Sequence, residues 1–148
     1  MTTEVKIKKV RKGAVIPEYA TSGSAALDLR SAADECIVIP ARSRAAIPTG
    51  IAIATEDASV VSIVCARSGL ATKHGICLAN GIGVIDSDYR GEILVSLLNN
   101  SDTDFTVEPG DRVAQLMFMP VLTAKLLECD ELDKTERGEG GFGSTGIK

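Results

Sequence analysis

The sequence predicts an all-β fold, a sandwich or barrel of short strands, and three observations carry that reading. Apolar runs recur at residues 36–39, 45–47, 51–54 and 60–65, each short enough for a strand and too short for a helix. Pro40, Pro48 and Gly50 mark the breaks between them, and this close spacing of strands and turns is that of sandwiches and barrels. Third, 45% of the residues are hydrophobic but only 3% aromatic, with no Trp, so the core must be aliphatic and interdigitated. At 148 residues the chain makes one domain, large enough to bury roughly two-thirds of its unfolded surface.

The elements follow in order. Residues 5–10 alternate apolar and basic side chains, which suits a half-exposed strand guarded by lysines. A turn region spans 17–23, and the strand-like run 24–30 is interrupted by Asp28, a carboxylate that wants a partner. After the 60–65 strand, Ser68 is a good N-cap for one short helix. Its N–H groups suit a phosphate, with Arg67 beside them, although a simple capped turn needs no ligand.

The stretch 80–92 reads as a hairpin with chemistry at its tip. Ile82, Val84 and Ile85 lead into the turn formers Asp86, Ser87 and Asp88, and residues 93–98 run back as a β-rich strand. Two carboxylates, Tyr89 and Arg90 lie within five positions, and Gly81, Gly83 and Gly91 leave room for close approach to the backbone. A plain polar turn also accounts for such residues. Turns at 99–104 and 109–111 then frame the strand 112–118, in which Arg112 and Gln115 are the polar exceptions. Gln115 either satisfies a buried backbone group or reaches into a site.

A net charge of −4 argues against a nucleic-acid polymer as partner, since such partners select broad basic surfaces. Cys36, Cys65, Cys77 and Cys129 form no C-x-x-C. Three of them sit in apolar runs like small buried hydrophobes, and we expect reduced thiols in a cytoplasmic protein. The N-terminus has no apolar signal region and no run of roughly 18 apolar residues occurs, so neither secretion nor membrane insertion is expected. The single histidine, His74, builds no His-rich metal site and reads as a solvated loop residue.

From Asp130 the chain turns acidic and then glycine-rich, ending in residues 136–146, a composition that cannot bury enough to fold alone. We therefore expect a core over 1–131 and a flexible arm over 132–148. Residues 138–143 spell G-x-G-x-x-G, but no helix follows, so the dinucleotide reading fails, and Ser144 stands where a P-loop needs lysine. An arginine, glycine-freed N–H groups, two hydroxyls and Phe142 nonetheless suit closure over a phosphorylated base.

Five stretches in order, 24–32, 66–71, 81–92, 110–118 and 137–146, resemble the five motifs of the trimeric dUTPases, and the resemblance spans nearly the whole chain. Ala26 stands where family members often have glycine and Ala66 where proline often precedes the arginine; both are small and neither removes a chemical group. The resemblance implies a jelly-roll protomer in a homotrimer with sites shared between chains. It implies hydrolysis of dUTP to dUMP and pyrophosphate by water attack on the α-phosphorus, with Mg²⁺ as cofactor, limiting uracil incorporation into DNA and supplying dUMP for thymidylate synthesis.

By the same resemblance Asp86 matches the general base and Asp28 the carboxylate that orients metal-bound water. Arg67, Ser68, Gly69, Gln115, Arg137, Ser144 and Thr145 match phosphate contacts. Asn80 and Gly83 match the wall that reads uracil, Tyr89 the ring under deoxyribose, and Phe142 the aromatic that covers the base. Two other readings remain, a dCTP deaminase of the same fold and a non-catalytic nucleotide-binding module. The first lacks the glycine-rich fifth motif, and retention of both Asp86 and Arg137 argues against the second.

Overall fold

A computed structural model of the chain describes residues 2–141, and among them the all-β expectation holds, with eleven strands and one seven-residue helix. In chain order these are β1 (Val5–Lys9), β2 (Leu27–Arg30), β3 (Ile37–Ile39), β4 (Arg44–Pro48), β5 (Ile51–Thr55) and β6 (Val60–Cys65). They continue with α1 (Ser68–His74), β7 (Ile76–Leu78), β8 (Gly83–Ile85), β9 (Leu94–Asn99), β10 (Phe105–Val107) and β11 (Arg112–Pro120). The strands form a jelly-roll-like sandwich: a four-stranded sheet in the order β2-β11-β6-β8, a three-stranded sheet β4-β9-β7, and the pairs β1-β5 and β3-β10.

One aliphatic core receives a side chain from nearly every strand. Leu29, Ile39, Ile47, Ile51, Val64, Ile76, Val95, Leu97, Val107 and Leu116 are all buried in it, which is how a chain so poor in aromatics fills its interior. The period-two alternation is plain in β9, where Val95, Leu97 and Asn99 point inward and Leu94 outward. Asn99, fully buried, is the polar exception. Its amide donates to Ile39 O at 2.9 Å and Thr103 O at 2.8 Å, and its oxygen accepts from Ser101 N and Oγ, so no hydrogen-bonding group is wasted.

Alternation breaks once where it matters. In β11 the register against β2 shifts between Arg112 and Ala114, and Val113 and Ala114 are consecutively buried. Such a bulge resets which face the following side chains take. Beyond it Gln115 lies opposite Asp28 on one side and Cys65 on the other.

Four expectations are corrected. Residues 80–98 do not form a ladder hairpin: β8 pairs with β6, whereas β9 pairs with β4 and β7. The returning arm is captured elsewhere, since Ile93 N donates to Ile51 O at 2.9 Å and Thr49 Oγ1 donates to Ile93 O at 2.6 Å. Ser68 is the first helical residue, not the N-cap. Arg67 holds that position in extended conformation, without a side-chain cap. Cys36 is exposed and Cys65 and Cys77 only partly buried, because Cys36 ends a polar loop after Asp34 and Glu35. In β1 only Val5 is partly covered, and Ile7 is exposed, because that strand pairs with β5 alone.

Regular structure ends at Pro120. Residues 121–141 run on without helix or strand, and Leu122, Leu126, Leu127 and Leu132 are exposed at 94%, 90%, 77% and 87%.

Candidate active site

The separation of β8 from β9 opens a cavity of about 250 Å³ between them, lined by Asn80, Gly83, Asp86, Tyr89, Glu92 and Ile93 among others. Its rim is a turn closed by Tyr89 N donating to Asp86 O at 3.1 Å. The Asp86 side chain is exposed beside it. Two glycines named for their openness turn out to be used by the protein itself. A Cβ on Gly83 would sit 3.0 Å from Val64 Cβ, and one on Gly91 would overlap the hydroxyl end of Tyr89, so Gly91 exists to let that ring lie against the backbone. The ring is fixed by Tyr89 Oη donating to Glu92 O at 3.0 Å.

The far side of this cleft is riveted down. The Glu92 carboxylate accepts from Gly50 N at 2.8 Å and from Arg11 Nε at 2.7 Å. Burial by itself pushes this carboxyl up, but the Arg11 hydrogen bond, the Gly50 N–H and the Arg11 charge outweigh it and hold the group below the usual carboxylate range. Gly50 has φ +69°, and a Cβ there would meet Ala14 Cβ at 2.6 Å and Ala32 Cβ at 2.8 Å, so only glycine fits.

A second cluster forms where β2, β11 and the end of β6 meet. Asp28 Oδ1 accepts from Arg67 Nε at 3.1 Å and Asp28 Oδ2 from Arg112 Nη1 at 3.2 Å; Arg67 Nη1 also donates to Arg112 O at 3.2 Å. Gln115 Nε2 donates to Ala66 O at 2.9 Å, tying β11 to the residue before Arg67. Residues 28, 67 and 115 are thus joined through the ladder β2-β11-β6. The arginines are oriented in advance, the arrangement that makes guanidinium groups effective toward phosphate oxygens. Ser68 and Gly69 follow at the exposed start of α1.

The sequence-derived residues fall into two groups. Asn80, Gly83, Asp86 and Tyr89 share the cleft, and Asp28, Arg67 and Gln115 share the charged cluster, with Asp28 and Arg67 lining cavities other than that one. Arg137 joins neither; its Nε donates to Gly140 O at 2.9 Å within its own turn. Phe142, Ser144 and Thr145 lie outside the described residues. Among the described residues no group of three His, Cys, Asp or Glu could hold a metal ion, and no helix is long and apolar enough to cross a membrane. Sequence reasoning missed Glu92 and Arg11. Glu92 sits just before an apolar run, where a solvated strand-flanking charge is the ordinary reading, and no spacing links it to residues 11 and 50.

A family model described as dUTPase matches residues 12–146. The chain belongs to the dUTPase family. It is 51% identical over 146 residues to the deoxyuridine 5'-triphosphate nucleotidohydrolase of Desulfitobacterium hafniense, covering 97% of each chain. Among solved structures, the dUTPase of Staphylococcus bacteriophage 80alpha with dUpNHpp superposes with a TM-score of 0.88 at 27% identity, covering 99% of this chain and 100% of that one. A mutant dUTPase of phage phi11 of S. aureus, described for its coordination of a structural Mg(II) ion, matches in fold with a TM-score of 0.79 at 22% identity, over 88% and 99% of the two chains. In this dUTPase chain the second, third and fourth motif stretches fall in two distinct places, residues 80–89 at the cleft and residues 67 and 115 at the charged cluster.

Proposed function

We propose that this protein hydrolyses dUTP to dUMP and pyrophosphate, with water attacking the α-phosphorus. The observation that carries this reading is the pairing of a cleft of nucleoside dimensions, bearing an exposed carboxylate at its mouth, with a separate cluster of pre-oriented guanidinium and amide groups. Asp86 takes the proton of the attacking water, a role worth ~10²–10⁴-fold. Arg67, Ser68, Gly69 and Gln115 meet the triphosphate charge, with Arg137, Ser144 and Thr145 added by the C-terminal arm. Asn80 and the backbone at Gly83 read the uracil edge, Tyr89 packs under the sugar where a ribose hydroxyl would clash, and Phe142 stacks on the base.

The residues fit Mg²⁺ carried by the substrate better than a resident ion. Mg²⁺ keeps several waters and binds through one or two carboxylates plus phosphates, and Asp28 supplies one carboxylate without a surrounding acidic cage among the described residues. Bound with the triphosphate, the ion neutralises phosphate charge, and Asp28 would hold its hydration shell while keeping Arg67 and Arg112 in place.

We further propose a homotrimer with sites shared between chains. Three features support it: the cleft and the charged cluster line different cavities of one protomer; the face of the four-stranded sheet that carries Gln115 and Asp28 turns apolar beyond them, through Met117 opposite Ile63 and Ile63 opposite Val84; and the leucines after Pro120 are uncovered. On this reading residues 1–131 make the core and 132–148 the arm that closes over a neighbour's cleft. Four unpaired thiols favour a reducing, cytoplasmic setting.

Pyrophosphate release from dUTP in Mg²⁺, against UTP, dCTP and dTTP, tests the activity; ammonia release from dCTP instead would make it a deaminase. The shared site is tested by co-refolding a truncation after Thr135 with Asp86→Asn chains. About a quarter of randomly mixed sites then pair an intact Asp86 with an intact arm, so activity should reappear from two nearly inactive parents, and a mixture as inactive as they are would refute arm exchange.

A further inference from the structure

The tie between Glu92, Arg11 and Gly50 lies outside the residues that the motifs assign to substrate, yet it ends on one of them. We propose that Glu92 and Arg11 are positioning residues for sugar recognition, setting the height of the Tyr89 ring over the cleft from the N-terminal end of the chain. This inference rests on the reading of Tyr89 as the wall beneath the sugar.

The chain of contacts is short. Tyr89 Oη donates to the Glu92 carbonyl at 3.0 Å, and the ring lies over Gly91, where any Cβ would displace it. The ring's position is therefore that of the Glu92 backbone. That backbone is set by its own side chain, held by Gly50 N at 2.8 Å and Arg11 Nε at 2.7 Å, and by the adjoining Ile93, held at both its N–H and its carbonyl by residues 49–51. Gly50 is packed closely against Ala14 and Ala32, and Gly50 O accepts from Val10 N at 2.7 Å, next to Arg11. Residues 10–11, 49–51 and 92–93 so form one frame. The loop 86–92 has no strand pairing of its own to hold it. Without the carboxylate tie, the polar anchor left at its end among the described residues is Ile93, and a ring that rises or tilts no longer excludes a ribose hydroxyl.

The Arg11 side chain is 42% exposed and the Glu92 side chain 18%, so Arg11→Ala removes the charge with less effect on packing than a change at Glu92, whereas Glu92→Ala removes both bonds. Glu92→Gln keeps an acceptor for Gly50 N–H and is the conservative control.

The experiment measures kcat and KM for dUTP and UTP, with melting temperature, on Arg11→Ala, Glu92→Ala and Glu92→Gln in the full chain. Glu92→Ala should raise KM for dUTP and narrow the dUTP to UTP ratio of kcat/KM by about tenfold, the size of one lost charge-assisted hydrogen bond. Arg11→Ala should shift both the same way by less, and Glu92→Gln should recover most of the loss. An unchanged ratio in Arg11→Ala and Glu92→Ala, whatever the melting temperature does, overturns the proposal. If the wild type releases no pyrophosphate from dUTP, the reading of function fails instead. The tie is then judged on Tyr89 emission in a Tyr19→Phe background, which isolates that ring because the chain has two Tyr and no Trp; emission identical with and without Arg11 overturns it.

Discussion

Asp28 and Asp86 are the same residue put to opposite uses by their surroundings. Both oxygens of Asp28 are engaged, one by Arg67 and one by Arg112, on a strand laddered to the centre of a sheet. Asp86 stands exposed on a turn, and among the described residues no cation pairs with it. A carboxylate held by two guanidinium groups is a firm brace, with lone pairs left for the waters of a bound ion. One without a cation partner leaves its lone pairs open to a water and braces nothing. On the proposed function the two carboxylates would divide positioning from chemistry, and substitution should separate them.

The largest effect belongs to the exposed carboxylate. Asp86→Asn should keep melting temperature and dUTP binding while turnover falls at least ~10²-fold, since only the proton acceptor is lost; near wild-type turnover would end its assignment as base. Asp28→Asn should instead damage both properties. A carboxamide turns an N–H₂ toward one of the two guanidinium groups, so we expect a stability loss of ~1–3 kcal/mol and a smaller drop in turnover, read by denaturant unfolding beside steady-state kinetics. If Asp28→Asn unfolds like the wild type, the brace is not one.

Tyr89→Ala comes next. It should leave the charged cluster untouched and raise relative use of UTP severalfold, the scale of one removed steric contact, measured as the ratio of kcat/KM values; a constant ratio means the sugar is read elsewhere. The smallest effect is set by pH. Glu92 has its carboxyl held down on folding, so the stability it contributes is whole above the unfolded value and fades as pH falls through the folded one. The advantage in Tm of wild type over Glu92→Gln should be constant between about pH 6 and 8 and shrink below about pH 4. A gap that persists in acid would show that the charge of Glu92 is not what matters.

The cleft and the charged cluster also differ in how legible they were. Asn80, Gly83, Asp86 and Tyr89 sit within ten positions, and local turn chemistry announces them. Asp28 announced only a need, a carboxylate in a strand without a partner. Which arginine met it depended on the β2-β11-β6 order, and strand order is a long-range property that periodicity does not encode. The hairpin expectation failed for the same reason: residues 80–85 and 93–98 look like two arms of one ladder, and what parts them is the capture of Ile93 and Glu92 by residues 49–51. Ser68 was read as a cap from its type alone, whereas the side chain of Arg67, drawn toward Asp28, leaves the cap position uncapped. Strand positions were the easiest part, because an aliphatic chain broken by Pro and Gly leaves few other choices.

The bulge between Arg112 and Ala114 also decides which kinds of genetic change this chain tolerates. At the bulge β11 holds one residue more than β2, so losing a residue there can leave a regular ladder, whereas losing one after it inverts everything downstream that stays in register. Deleting Gln115 would bring Leu116, which is 1% exposed, to the place of the amide that holds Ala66. Substitutions at Val113 or Ala114 alter packing by degrees, but a change of length beyond the bulge exchanges the inside and outside of the strand in a single step. Insertions and deletions in this family's history should therefore collect in the turns around β11 and be purged from the strand itself, even where its individual residues drift.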